Sequence, residues 1–173
     1  MSGVSARVII IAAVSADGYI SRGTGVPWEL PEDRRHFRRL TQGQWLLLGR
    51  RTFEEMLGWF RDHHPLVLTR RPLPSPWEKA GVNHVSEAVA RVAAGGAEEL
   101  WVCGGAAAYA EAMPQADELI LTVVAEELGD GVRFPDIDPD EWRVVRRERS
   151  AAGAEPAFEW RWLERVRKGA GKR

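Results

Sequence analysis

Residues 99 to 113 read ELWVCGGAAAYAEAM. An apolar run, two glycines and an alanine-rich stretch follow one another without a break. The first part has the continuous apolar character of a strand buried on both faces. The last part is helical by propensity. Gly104 and Gly105 at the junction let a ligand approach the backbone closely, and the helix start beyond them offers free N–H groups to an anion such as pyrophosphate. A plain strand-to-helix turn is the other reading of the pair, which does not match the G-x-G-x-x-G dinucleotide fingerprint. On both readings the unit is strand, turn, helix, the building block of α/β folds.

Moving outward, the same unit recurs. RVIIIAAV (7 to 14) is a short β-branched buried strand. A long loop follows over 15 to 30, with Gly18, Gly23, Gly25 and Pro27, and loops of that length are often functional. A helix begins at Pro31, a residue suited to the first turn. QWLLLG (44 to 49) predicts a strand and 51 to 57 a helix. PLVLT (65 to 69) predicts another strand, HVS (84 to 86) a short one, and Ser86 a cap for a helix over 87 to 94. ELILTVVAEE (118 to 127) predicts a long strand, and RVVRRER with AFEWRWLERV an antiparallel pair with one wet face. Trp160 and Trp162 alternate along the last strand and read as core or cross-strand packing. The expectation is a single α/β domain over 1–166, with a mostly parallel central sheet, helices on both faces and an antiparallel C-terminal hairpin. Residues 167–173 read as a disordered basic tail.

With 173 residues the chain can bury a real core. A formal net charge of −1 gives no global attraction to nucleic acid or anionic membrane. The single cysteine, Cys103, excludes an internal disulfide, and no zinc pattern is present, His63 and His64 lacking partners at ligand spacing. Cys103 reads as a small buried apolar residue rather than a nucleophile. The runs VIIIAAV and WLLL are too short to span a bilayer, and the first lacks signal-peptide flanks. A cytoplasmic protein, monomer or homodimer, without nucleic-acid or membrane partners is expected.

Two further strand ends carry anion chemistry. LGRRTF (48 to 53) places Arg50, Arg51 and Thr52 at a helix start, and LTRRP (68 to 72) adds another arginine pair. In open α/β sheets ligands collect beyond the carboxyl ends of the strands. Three such junctions at one edge point to a nucleotide with several phosphates.

GVPWELPEDRRHFRRLT (25 to 41) holds a different signal. At about 100° per residue, Asp33 shares a face with Phe37 and Leu40, while Arg34, Arg35, Arg38 and Arg39 cover the opposite face. Asp33 and Glu32 can simply complement the helix dipole. An acid on the apolar face can also grip a ligand.

The order and spacing of these segments resemble the dihydrofolate reductase family over residues 7 to 165. The resemblance rests on IIIAAVSADGYIS, on Pro27, Trp28, Leu30, Pro31, Asp33 and Phe37, on LLLGRRTFEEM and LVLTRRP, on the Gly104–Gly105 element with Tyr109 behind it, and on RFPDI. It implies NADPH-dependent reduction of 7,8-dihydrofolate. Asp33 would be the only ionisable group in the pterin pocket, gripping the 2-amino group and N3 and aiding protonation at N5. Thr122 would share its hydrogen-bond network, and Trp28 would stand beside it, acting through a water. Ile11, Ala13, Phe37, Cys103 and Tyr109 would contact substrate. Ala13, Gly49, Arg50, Arg51, Thr52, Thr69, Arg70, Gly104 and Gly105 would contact NADPH, Arg70 favouring its 2′-phosphate, and the peptide between the two glycines would be cis. The loop from Ser15 to Pro27 would close over the nicotinamide. No metal is implied.

The resemblance is incomplete at one point. The family's arginine for the carboxylate of the folate glutamate tail aligns with His63, with Arg61 two residues away. A reductase of another pterin, or of a ribosylated pyrimidine in riboflavin biosynthesis, therefore stays open, as does a non-catalytic nucleotide-binding protein.

Overall fold

The computed structural model describes residues 4–167, so all of the expected basic tail except Arg167 lies outside the described residues. The first half of the chain forms β1 (Arg7–Ser15), β2 (Tyr19–Ser21), α1 (Pro31–Thr41), β3 (Trp45–Gly49), α2 (Arg50–Glu55), β4 (His64–Leu68), β5 (Gly81–Val82) and α3 (Val85–Ala94). The second half forms β6 (Glu99–Gly104), α4 (Ala106–Ala112), β7 (Glu118–Val124), β8 (Val132–Arg133), β9 (Trp142–Arg149) and β10 (Phe158–Arg165). Eight strands make one sheet in the order β5-β4-β3-β6-β1-β7-β10-β9. The strands from β5 to β7 pair in parallel, and β10 pairs antiparallel with both β7 and β9. The expected mostly parallel sheet with a C-terminal antiparallel hairpin is what the chain forms.

The β-branched run of β1 explains why the sheet is covered on both faces. Val8, Ile10, Ala12 and Val14 enter one apolar cluster, together with Val85, Ala88 and Val92 of α3 and Ala108 and Ala112 of α4. Ile9 and Ile11, on the alternate positions, enter the other, together with Phe53 of α2 and the half-buried Phe37 and Leu40 of α1. Leu46, Leu47 and Leu48 of β3 are wholly buried although successive residues face opposite sides. Burying each such side chain contributes about 1.5–3 kcal/mol. Among the described residues no helix is long and apolar enough to cross a membrane.

Five local expectations shift. The loop over 15 to 30 is not wholly irregular, because β2 forms inside it and pairs with β8. The short strand expected at 84 to 86 lies instead at Gly81–Val82. α3 starts two residues early, at Val85, because Val85 is wholly buried on the same stripe as Ala88 and Val92. Ser86 therefore sits inside the helix, and Glu87 satisfies the exposed start by accepting from the Asn83 N–H at 2.8 Å. α2 ends at Glu55 rather than 57, and β7 ends at Val124 rather than 127.

Candidate active site

Ala13 of β1 lies beside Thr122 of β7, and Thr122 lies directly opposite Trp160 of β10. Thr122 and Trp160 consequently point to the same face of the sheet, the one that α1 covers. There the Thr122 hydroxyl donates to Asp33 Oδ1 at 2.7 Å and the Trp160 indole Nε1–H donates to the same oxygen at 2.8 Å. Hydrogen bonds to an ionised acceptor contribute about 1.5–3 kcal/mol each. Asp33 thus does more than complement the helix dipole, since two buried donors from two strands hold it. Its inward position follows from the wheel reading of α1. Trp160 does not, because its role depends on strand register. A buried indole N–H requires a partner, and that was the one available signal.

Asp33 lines a cavity of about 390 Å³. Its walls include Ile11, Ala13, Trp28, Phe37, Cys103, Tyr109 and Thr122, the residues expected from the sequence, and also Val26, Leu30, Met56 and Trp59, which were not. Asp33 is not the only ionisable lining group: Arg34 and Glu55 also reach this cavity. Glu55 pairs with Arg51 at 3.4 Å. Arg34 departs from the opposite-face assignment, because its place on the wheel is only about 100° from Asp33. The Tyr109 hydroxyl donates to the Ile11 carbonyl at 2.8 Å. The Cys103 thiol donates to the Trp101 carbonyl, and burial pushes it and the Tyr109 phenol upward, so both stay neutral. Neutral groups there add no charge to the cavity floor beside Asp33.

Trp28 is buried, but its indole N–H donates to Glu126 at 2.9 Å and not to the Asp33 network. It ties the end of the 15-to-27 loop to the segment after β7. The other end is tied by Asp17. Its carboxyl accepts from the Ser15 hydroxyl and from the backbone N–H groups of Leu128 and Gly129. The Ser15 contact, reinforced by the two backbone donors, holds Asp17 down at about 2.

A second cavity, of about 420 Å³, meets the first at Ala13, Thr52, Cys103 and Tyr109. It opens at the carboxyl ends of β3 and β6 and is lined by Gly49, Arg50, Arg51, Thr52, Gly104 and Gly105. The Gly104–Gly105 peptide is cis. Gly104 has φ of 130°, and a Cβ on Gly105 would stand 3.3 Å from the Thr52 hydroxyl oxygen. The glycine pair is therefore a backbone cradle that side chains would fill. Arg50 is already engaged, with Glu54 at 3.0 Å and the carbonyls of Arg71 and Pro72. Thr69 and Arg70 are not in this cavity. They line a separate shallow recess with Asn83, His84 and Glu111, which adjoins it through Leu68 and Ala107.

His63 lines neither cavity. The Arg61 backbone N–H donates to its Nδ1 at 3.1 Å, so the ring proton sits on Nε2, which faces the Thr41 hydroxyl oxygen at 3.4 Å. Burial lowers its pKa and keeps it neutral. Both nitrogens are spent inside the protein. Arg61 points its guanidinium at the Gly58 and Phe60 carbonyls. Among the described residues no group of three His, Cys, Asp or Glu side chains could hold a metal ion.

A half-buried carboxylate facing one cavity, with a glycine cradle lining the next, is an arrangement for two ligands that react across a shared wall. The sequence profile described as dihydrofolate reductase matches residues 7–167. This chain belongs to the dihydrofolate reductase family. It is similar to dihydrofolate reductase type 3 of Salmonella typhimurium, 34% identical over 141 residues that cover 81% of this chain and 85% of the relative. It is also similar to the dihydrofolate reductase of Bacillus subtilis, 28% identical over 165 residues, 95% of this chain and 97% of the relative. Among solved structures, the Enterococcus faecalis dihydrofolate reductase complexed with NADP(H) and RAB-propyl superposes with a TM-score of 0.78 at 27% identity. That match covers 92% of this chain and 96% of the other. The dihydrofolate reductase resemblance read from the motifs thus extends over the described domain.

Proposed function

We propose that this protein reduces 7,8-dihydrofolate to tetrahydrofolate with NADPH as the hydride donor. The observation that carries the reading is Asp33, held by Thr122 and Trp160 in a cavity that adjoins the Gly104–Gly105 cradle. The cradle suits a pyrophosphate-bearing cofactor, since the close approach needs residues without a Cβ. Gly49, Arg50, Arg51 and Thr52 hold the phosphates, and Arg70 with Thr69 in the adjoining recess takes the 2′-phosphate. NADPH, when bound, supplies the hydride.

The chain's own residues do the rest. Asp33 accepts from the 2-amino group and N3 of the pterin, which fixes the ring's face toward Ala13 and the cofactor cavity. By holding negative charge under the ring it favours the protonated pterin at N5. Phe37 packs on the substrate, and Ile11 and Cys103 form the floor. Tyr109 stays neutral and braces the Ile11 carbonyl. Trp28 closes the wall, and its bond to Glu126 helps seat the 15-to-27 loop, which excludes water. The glutamate tail leaves the cavity past α1. Arg34 lines the cavity, and Arg38 lies over the Trp59 ring at 4.5 Å, so these guanidiniums, rather than His63 or Arg61, meet the tail carboxylate.

The test follows NADPH oxidation with dihydrofolate and, in parallel, with a dihydropterin that lacks the glutamate tail. Efficient turnover of dihydrofolate, with KM raised about tenfold by Arg34→Leu and no such rise for the tail-less substrate, supports the reading. Equal turnover of both substrates would remove tail recognition, and no turnover of either would sink the assignment.

A further inference from the structure

The two donors to Asp33 are not equivalent. A threonine hydroxyl both donates and accepts and can rotate, whereas an indole N–H only donates. The Trp160 N–H, at 2.8 Å, can therefore hold Asp33 Oδ1 only as an acceptor. With the Thr122 hydroxyl at 2.7 Å on the same atom, Oδ1 accepts two hydrogen bonds from the protein. Among the described residues no protein donor falls on Oδ2, which is left to face the cavity.

The indole has little freedom to relax away from this contact. Trp160 is 7% exposed. His36, three residues after Asp33 on α1, stacks on its face with ring centroids 4.2 Å apart and planes 25° from parallel. Phe158 meets it from the side at 5.3 Å. His36 itself is neutral: burial lowers its pKa, and Arg39 donates to Nδ1 at 3.3 Å, which puts the ring proton on Nε2, a buried atom with no hydrogen-bond partner. A neutral imidazole can lie flat on the indole without adding a second charge near Asp33. One turn of α1 thus grips Trp160 twice, at its N–H edge through Asp33 and on its face through His36.

We infer that Trp160 is a positioning residue for the reduction: its indole N–H, together with the Thr122 hydroxyl, fixes the plane of the Asp33 carboxylate so that Oδ2 is presented to the pterin. The inference rests on the reading that Asp33 receives a pterin. Burial of the ring and donation of the N–H are separable, because an N–H can be removed without changing the ring's shape.

The experiment replaces Trp160 with 3-benzothienylalanine, in which sulfur stands where the N–H was. The expected result is a fall of about tenfold in kcat/KM for dihydrofolate, with NADPH affinity and the melting temperature close to those of the parent protein. Parent-level kcat/KM in this variant would overturn the inference and reduce Trp160 to packing. A second measurement does not depend on turnover. The Trp160 Nε1–H resonance is followed in the NADPH complex, with and without Asp33→Asn, and during titration with an unreactive 2,4-diaminopteridine. It is expected to move in both cases, and a resonance that ignores both would overturn the inference even if dihydrofolate proved not to be the substrate. Failure of the functional reading shows separately, as an inactive parent protein.

Discussion

The carboxylate cavity and the cofactor edge lie side by side but are built differently. Around Asp33 the contacts lie inside the protein: Thr122 and Trp160 hold one carboxylate oxygen, and the strand register that aligns them is part of the core. At the cofactor edge the contacts come from backbone and from two arginines, one of them exposed. Gly104 and Gly105 contribute shape, while Arg51 is 68% exposed and Arg50 is engaged with Glu54 and two loop carbonyls. The first region is organised before a ligand arrives. The second must exchange surface partners for ligand phosphates, and surface pairs of this kind are worth about 0–1 kcal/mol, so the exchange costs little.

That contrast can be broken most severely at Asp33. Asp33→Asn keeps the shape but removes the charge, and kcat at neutral pH is expected to fall by about 10²–10⁴-fold, the range for loss of a positioned acid–base group. NADPH affinity, measured by fluorescence titration, should hold. Unchanged turnover would mean that the paired carboxylate is only structural.

The cradle predicts a smaller and different loss. Gly104 has φ of 130°, and a Cβ there would meet Thr52 and the Tyr109 hydroxyl at 3.5 Å. Gly104→Ala should cost about 1–3 kcal/mol in backbone strain and weaken NADPH more than it weakens a pterin analogue. Equal losses for both ligands would show that the two cavities are not separate in function.

The smallest effect is expected from pH. His36 and His63 have pKa values lowered by burial. The unfolded chain therefore takes up protons near pH 6.5 that the native state refuses, and stability present above about 6.5 declines as pH falls below it. Asp17 acts at a lower pH. Held at about 2, below its unfolded value of about 3.9, it adds stability above about pH 4 that is lost as pH falls toward 2. Denaturant midpoints across this range check the sign. A flat profile from pH 7.5 to about 5.5 would mean that both histidines take up protons in the native protein as readily as in the unfolded chain.

Much of the cofactor edge was legible in the sequence because its chemistry is local. A strand, two glycines and a helix are contiguous, and so are a strand end and its arginines. Asp33 was legible because helical periodicity places it with Phe37 and Leu40. Arg34 was misplaced by the same wheel, since a residue about 100° away can still bend its long side chain toward a cavity. Thr69 and Arg70 were correctly assigned to a strand end, yet they line a neighbouring recess and not the main cofactor cavity. α3 began early because burial of Val85 outweighed the capping propensity of Ser86.

By itself the sequence determined the α/β class, the family and the Asp33 and Gly104–Gly105 elements. Each of these is written in residues close together along the chain, where periodicity and turn chemistry act. Tertiary structure alone decided that Trp160 donates to Asp33 from 127 residues away, that Trp28 turns to Glu126, and that His63 is spent on Thr41 and Arg61. Those choices depend on strand register, and a slip of one residue would have turned Trp160 to the opposite face of the sheet.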